Sequence, residues 1–543
     1  MIKKKLSLLL LALTLVFTLI FGVACKQAKV PTKPKATKPV SGGTLVLSLN
    51  TEPVILNPLI VDGDLEETGI VAGIILPRLF NITPDLKYEP SLLEETPTKE
   101  NGGLKDSPFT ITYKIKKDAN WSDGKPITSE DIKYTWQTIM NKKWNILSPT
   151  GYDLIKSIDT ADPKTAVVSF NGPYAPWKDL FSDVLPKHAL EGKDFNKVWN
   201  TGVTVSGGPF VFKQWKSGDQ IVVERNNNYW GKKAYLDKLV FKFVEDPTTQ
   251  LAQLKTGELD LISPNADVDL LTQLKSVENT TVKTKPGTRW EQLGFNTTKA
   301  PINDVNVRKA IAYSIDRDSI VKNLMKGTAT VLQSINVPEQ GKFFTPSWKK
   351  YKFSPSKAKT ILKEAGYKEG ADKMFEKDGK PLELTISTTS GRPLREKMVQ
   401  IIQAQLKDIG IKVNIKNSDT DAFFGWLTDG TFEMAEWGWS ASPDPSYTAI
   451  FSGNQLPPDG QNYYRYDNKE VTDLLDEQDK EVDENKRADS VKEIQEKMAE
   501  DLPLIPFFQQ FALAAYNNKV HGPVPNPTLQ GITWNAETWW LEK

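Results

Sequence analysis

The 543-residue chain is poor in the side chains that carry most metal and covalent chemistry. It has a single cysteine, Cys25, and two histidines, His188 and His521. One thiol closes no internal disulfide and builds no cysteine metal cluster. Two imidazoles make no multi-histidine site, and neither lies in a GxSxG or HExxH context. There is no GxGxxG turn and no GxxxxGK[ST] loop, so a nucleotide cradle of either kind is excluded and no cofactor is expected. An excess of one charge is also missing. The formal net charge is +1, and because the first 43 residues hold eight lysines and no acid, the remainder is mildly acidic at −7. Nucleic acid as the main partner needs a basic face that such a body lacks. No apolar run of spanning length follows the N-terminal one. The rest is ordinary: 39% hydrophobic and 25% charged residues exclude a disordered or coiled-coil chain, and the length suffices for several domains.

The N-terminus reads as an export signal. Lys3, Lys4 and Lys5 precede an apolar run from Leu6 to Val23, then small residues Gly22 and Ala24 lead into Cys25. An uncleaved membrane anchor is the rival reading. GVAC (22–25) resembles the bacterial lipobox, with Gly22 where leucine is usual. That resemblance implies removal of 1–24 and lipidation of Cys25. Residues 26–43 hold three prolines and five lysines, a composition that cannot bury a core. With Cys25 they form an extended tether (25–43) suited to an anionic membrane surface. The body then begins near Thr44, on the outer face of the cell membrane.

Strand and helix patterns alternate through the body. Segments 44–49, 109–115, 207–215, 220–226 and 238–244 read as strands. Thr128 and Ser129 open a helix over 129–140, Asp304 caps another, and Ser354-Pro355 starts a third that stops at Gly366. The clearest unit is 382–415: a strand, a loop from Thr389 to Arg392, a helix from Pro393 to Ile409 stopped by Gly410, and a strand over 411–415. This is a βαβ crossover. The class is mixed α/β with several mixed sheets, without internal repeats. No nucleophile–base constellation is visible, although two facing carboxylates of a glycosidase would leave no sequence mark.

Seven blocks in order resemble the peptide-binding family of bacterial extracellular solute-binding proteins, family 5, the receptors of ABC importers. They are GGTLVLSLNTEPVILNPL (42–59), WSDGKPITSEDIKYTW (121–136), GGPFVFKQWKSGDQIVVERNNNYW (207–230), TQLAQLKTGELDL (249–261), LGFNTTKAPINDVNVRKAIAYSIDR (293–317), EWGWSASPDPSY (436–447) and DLPLIPFF (501–508). The resemblance implies a class II, three-domain periplasmic-binding-protein-like fold with a hinged ligand cleft. Domain I would comprise 44–88, 205–295 and 510–543, domain II the insertion 89–204, and domain III 296–509. It further implies a monomeric, non-enzymatic receptor that delivers peptides to permease subunits.

Candidate binding residues follow. Ser390, Gly391 and Arg392 lie where a strand ends and a helix begins, a place that favours anions, and an arginine there grips a carboxylate bidentately. The dipeptide branch of the family has a similar Arg-Pro that clamps the ligand carboxylate. Gly438, Trp439, Ser440, Ala441 and Ser442 match the segment that runs beside the ligand as an added strand. Some relatives place there an aspartate for the ligand amine; here that position is Ser442, and Asp444 is the nearest substitute, or else only a helix cap. Thr51 and Glu52 match the opposite wall, and Trp290 and Asn296 flank the hinge-side strand, with Trp290 placed to cover the ligand. Trp426, Trp437, Trp439 and Trp290 are platforms for the rival ligand, an oligosaccharide. A hydrolase or sensor on the same fold is the alternative from another class.

Overall fold

The computed structural model describes residues 38–542. The export signal, Cys25 and most of the tether lie outside the described residues. A ten-stranded mixed sheet forms the spine. Its strands in chain order are β1 (Thr44–Leu49), β2 (Phe210–Lys216), β3 (Gln220–Arg225), β4 (Lys238–Phe243), β5 (Leu261–Ile262), β6 (Thr280–Phe295), β7 (Glu383–Ser387), β8 (Lys412–Ile415), β9 (Met434–Ser440) and β10 (Leu504–Asn517). Their spatial order is β8-β7-β9-β6-β10-β5-β1-β4-β3-β2. β1 runs parallel to β4 and β5, and β7 runs parallel to β8 and β9. The expected crossover is present: the helix Pro393–Asp408 links β7 to β8, and Gly410 turns the chain at φ 96°. The cap at Asp304 is also as read, its side chain accepting from Asn306 N at 2.8 Å.

Buried side chains separate into three clusters. One takes Leu45, Leu47 and Leu49 of β1, Leu239 and Phe241 of β4, and Leu185 to Val203 from the end of the insertion. The second lies wholly within 79–184, under an antiparallel sheet in the order Leu104–Asp106, Phe109–Lys114, Thr165–Phe170, Ile155–Asp162. The helix Ser129–Ile139 packs on it, its start fixed by Thr128 N donating to Asp131 Oδ2 (2.8 Å). The third and largest cluster gathers most apolar residues of 290–513. The middle unit hangs on the first: Ser122 N donates to Ser206 O (2.7 Å) and Val184 N to Pro77 O (2.8 Å).

Two strands join the lobes. β6 pairs antiparallel with β10, from Thr280↔Asn517 to Gly294↔Leu504. The ladder breaks between Pro286↔Phe511 and Trp290↔Gln509, so four steps on β6 oppose two on β10. Below the break β10 pairs with β5 and above it β6 pairs with β9. Such a bulge bends a strand locally. Gly287 sits in the break, where a Cβ would stand 2.8 Å from Gln510 O.

The middle unit also touches the far lobe. Ala175 N donates to Asp479 O (2.7 Å), Lys178 faces Glu484 (3.5 Å), and Val482 packs against the middle cluster. Beside this contact Arg487 holds Asp444 through both carboxylate oxygens, at 2.5 and 2.6 Å, with both residues buried. Breaking one side of such a pair strands a buried charge. Arg487→Met should therefore cost about 3–5 kcal/mol of stability, measured by urea unfolding, and Asp444→Asn in the same chain should recover part of it.

Candidate functional site

β1 and β7, one on each lobe, end at Leu49 and Ser387, and the carboxyl ends of strands are the usual place for a ligand in an α/β sheet. On the far lobe β7 ends at Ser387. Thr388 and Thr389 are buried, and Ser390, Gly391 (φ 75°) and Arg392 are exposed before Pro393 starts the helix. Ser390 N donates to Ser418 O (2.7 Å) and Gly391 N to Glu396 Oε1 (2.9 Å), which fixes the loop.

β9 runs alongside with one edge partly free. It pairs with β7 only at Met434 and Ala435, while its other edge pairs with β6 along its whole length. Ala441 N donates to Thr288 O (3.0 Å). In the alternation of an antiparallel ladder, the main-chain groups of Gly438 and Ser440 therefore point away from β6, to the edge that no strand covers.

The two faces of this strand pair differ. One is aromatic. Trp437 is buried, and Trp439 is half-buried, stacked on Tyr463 at 5.9 Å and 12° and donating from Nε1 to Tyr464 Oη (2.8 Å). The other face is charged. Register places Arg289 opposite Ser440 and Glu291 opposite Gly438. Glu291 is wholly buried and accepts from Arg395 Nε (3.1 Å) and Nη2 (3.2 Å) and from Gln510 Nε2. Glu436 lies 3.7 Å from Arg395 Nε and accepts from Thr388 Oγ1 (2.7 Å). Burial, then the charge of Glu291, pushes the Glu436 carboxyl well above the usual carboxylate range. Gly438 makes room for this arrangement: a Cβ there would stand 3.0 Å from Glu291 Oε2 and 3.1 Å from Arg395 Nη2. Arg289, half-exposed, has Glu291 Oε1 as its ion-pair neighbour at 3.9 Å. Burial and the neighbouring Arg395 and Arg392 lower its pKa, and Glu291 and Glu66 oppose that shift.

The near lobe supplies Asn50 at the end of β1, the short helix Glu66–Ala72 and the loop around Leu529, which is 80% exposed. Burial is the main cause raising both the Glu66 and Glu67 carboxyls. Glu66 nevertheless keeps solvent access, whereas Glu67 is buried.

Ser390, Gly391 and Arg392 are exposed at the end of β7, Gly438 and Ser440 lie on the open edge of β9 with Trp439 on its aromatic face, and Thr51 is exposed on the near lobe. Six expected site residues need correction. Trp290 is 0% exposed inside the far-lobe core and cannot cover a ligand. Asn296 is buried and donates to Gly430 O (3.0 Å) and Phe432 O (3.2 Å), a packing role. Glu52 accepts from Trp215 Nε1 (2.8 Å) and Gly218 N (2.9 Å), so both its oxygens serve the β2–β3 hairpin. Asp444 is spent on Arg487 and also accepts from Ser446 N (3.0 Å), so it offers no open carboxylate for an amine. Ala441 is buried, and Ser442 O accepts from Gln340 Nε2 (2.9 Å), so neither extends the open edge. Residues missed were Arg289, Glu291, Arg395, Glu436, Glu66, Glu67 and Leu529. One carried a signal: Glu436 is a lone acid in the apolar run Met434-Ala435-Glu436-Trp437, where a buried charge needs a partner.

The profile of bacterial extracellular solute-binding proteins, family 5 (middle portion), matches residues 87–485. The chain belongs to this family. As a family 5 protein it is an extracytoplasmic solute-binding receptor and not an enzyme. Among relatives, the oligopeptide-binding protein AppA of Bacillus subtilis (strain 168) is 28% identical over 570 residues, covering 100% of both chains. The oligopeptide-binding protein OppA of Mycobacterium tuberculosis (strain H37Rv) is 30% identical over 438 residues, 76% of this chain and 71% of the relative. Among solved structures, Bacillus subtilis AppA in complex with a nonapeptide superposes with a TM-score of 0.75 at 26% identity, covering 93% of this chain and 100% of that one. The periplasmic EDTA-binding protein EppA shares the fold with a TM-score of 0.85 at 24% identity, covering 95% of this chain and 99% of that one. No helix among the described residues is long and apolar enough to cross a membrane.

The raised pKa of Glu436 has a measurable consequence. It lies above the unfolded value, so between the two the native state holds a proton that the unfolded chain releases, and stability falls as pH rises. Glu436→Gln removes that loss. Its stability relative to the parent should grow as pH rises above about 4.5, by at most about 1.4 kcal/mol per pH unit, read from a series of unfolding midpoints against pH.

Proposed function

We propose that this receptor captures peptides between its two lobes and delivers them to the permease subunits of an ABC importer. It does so from the outer face of the cell membrane, held by a lipid on Cys25 after removal of residues 1–24. In this reading it works as a monomer of three domains: 44–88 with 205–295 and 510–543, the insertion 89–204, and 296–509. The observation that carries the reading is the uncovered edge of β9. Gly438 and Ser440 present main-chain groups in extended geometry within reach of the Ser390–Arg392 loop. An extended peptide completes such an edge by main-chain bonds that ignore its side chains, while Arg392 takes a carboxylate. The relatives named for oligopeptide binding support the same ligand class.

One observation favours a second reading. Trp439 and Tyr463 stack side by side, and half-buried Trp426 lies nearby under Lys416 Nζ at 4.2 Å, a flat aromatic surface on which pyranose rings would rest. An oligosaccharide receptor would use that surface in place of the charged face.

Closure is a population shift: contacts made only when both lobes grip the ligand favour the closed form. Denaturing the purified receptor and weighing what it releases by mass spectrometry separates the readings. Peptide masses are expected, and a ladder of hexose masses would replace them under the second reading. Arg392→Ala should weaken binding of a peptide with a free carboxylate about tenfold in calorimetry and leave the unfolding midpoint unchanged, because Arg392 is exposed.

A further inference from the structure

The middle unit and the far lobe meet at a contact whose charges do not balance. Ala175 N donates to Asp479 O (2.7 Å), Val482 packs against the middle cluster, and Lys178 Nζ lies 3.5 Å from Glu484 Oε1. The near lobe carries the middle unit, so a change of lobe angle at β6 and β10 pulls on this contact. At its centre Arg487 spends every nitrogen on its own lobe. Nε donates to Gln478 Oε1 (2.9 Å), Nη1 and Nη2 hold Asp444 (2.5 and 2.6 Å), and Asp479 Oδ1 lies 3.8 Å from Nη2. Asp179 ends the turn Ala175–Asp179 on the middle unit and brings a third carboxylate. Its donor is Tyr88 Oη, on the hairpin of Phe80–Ile82 and Tyr88–Pro90. Lys178, next to it, is drawn to Glu484 and lies over the rings of Tyr88 (5.7 Å) and Trp177 (5.5 Å). Glu484 is also paired with Lys342 (2.9 Å).

Asp179 is open to solvent, so its proton exchanges freely with the medium. The titratable groups that face it are Tyr88, Lys178, Tyr174 and Tyr152 on its own side and Asp444 and Arg487 across the contact, with Asp479 reaching Tyr174. The protein packed around it, and then the charge of Asp444, raise its carboxyl above the usual aspartate value, while Tyr88, Arg487 and Lys178 pull the other way. Asp444 belongs to the far lobe, so part of that shift exists only while the contact is made. We propose that Asp179 is a proton-operated release for the middle unit: neutral, it lets the contact stand, and ionised, it leaves three carboxylates around one guanidinium and frees the far lobe. The contacting form binds the proton more tightly than the parted form, so its population falls as pH rises through the raised value. Apparent affinity for any cargo scales with that population, so the receptor holds cargo more tightly in acid than in mild alkali. This release acts on closure alone, whichever ligand the crevice takes.

Hydrogen exchange read by mass spectrometry on the whole receptor tests it without ligand, because the Ala175 amide is bonded across the contact. Parent and Asp179→Asn are compared with each other at about pH 5 and again at about pH 8, so the intrinsic pH dependence of exchange cancels. Equal rates are expected at the acid value in the segment around Ala175. At the alkaline value exchange there should be several-fold slower in Asp179→Asn, by at most about tenfold for each pH unit above the raised value. Small-angle scattering should agree: the parent expands between the two conditions and Asp179→Asn does not. Asp179 is exposed, so the variant keeps the parent's unfolding midpoint in acid. The two histidines pair with Asp123 and Glu542 and are unchanged in the variant, so their titration drops out of the comparison. A rate ratio that is the same at both pH values overturns the release, as does faster exchange in Asp179→Asn at either, which would make the side chain a plain anchor for Tyr88.

Discussion

Everything in this receptor depends on two strands that belong to both lobes. β10 contributes to two hydrophobic clusters, through Ala514 and Tyr516 on one side and Leu504 to Leu513 on the other, β6 pairs with it along both halves, and all of residues 296–503 lies between them in the chain. The ladder bonds make this joint stiff against shear, and the break at Gly287–Arg289 makes it weak to bending at one level. The break sits next to the charged face, so Arg289 lies in the joint and Glu291 begins the paired segment above it. A change of lobe angle at this level therefore shifts Arg289 relative to the strands on either side of the break. Hinge and ligand wall are the same few residues, the condition for contacts that exist only in the closed form.

The charged face is costly to build. Arg395 and Glu291 are buried, and their desolvation is offset only because three nitrogen–oxygen contacts and the Gln510 amide satisfy the pair. Glu436 lies beside them with its carboxyl pushed well above the usual carboxylate range. The outcome is a rigid support lying behind the open edge of β9, where the absence of a Cβ at Gly438 lets the guanidinium approach the strand. The open edge and its support are built from the same pair of strands.

How much of this was legible in the sequence follows from the range of the forces involved. Elements set by local pattern read well: β1, the β2–β3 hairpin, the Asp304 cap and the β7–helix–β8 crossover all follow from apolar period, turn residues and capping chemistry within a few positions. The placement of Ser390 to Arg392 between the end of β7 and the start of the helix follows from the same local signals. The corrections all concern side chains whose partner lies far away in sequence. Asp444 is taken by Arg487, Glu52 by Trp215, and Trp290 vanishes into a core assembled from segments two hundred residues apart. No local rule shows whether a carboxylate is free or spent. Arg395 escaped notice for the opposite reason: three residues past Arg392 on a helix, it looks like a solvated face until β6 is laid against it.

The middle unit adds a third body to the closing motion. It is carried by the near lobe through Ser122–Ser206 and Val184–Pro77, yet its surface at Ala175 and Lys178 meets the far lobe at Asp479 and Glu484. The hairpin of Phe80–Ile82 and Tyr88–Pro90 does the same near the hinge, with Leu86 in the far-lobe core and Asp85 on Lys285 at 3.0 Å. These contacts are made without ligand atoms, so they bias the open–closed equilibrium by an amount the ligand does not have to supply. Apparent affinity is the intrinsic affinity of the closed form scaled by how often that form is visited. A receptor of this build can therefore tune its affinity at Val482, Lys178 or Leu86 without altering a single residue that touches its cargo. The buried Arg487–Asp444 pair, directly behind that contact, is then best understood as the brace that keeps the contact surface in shape.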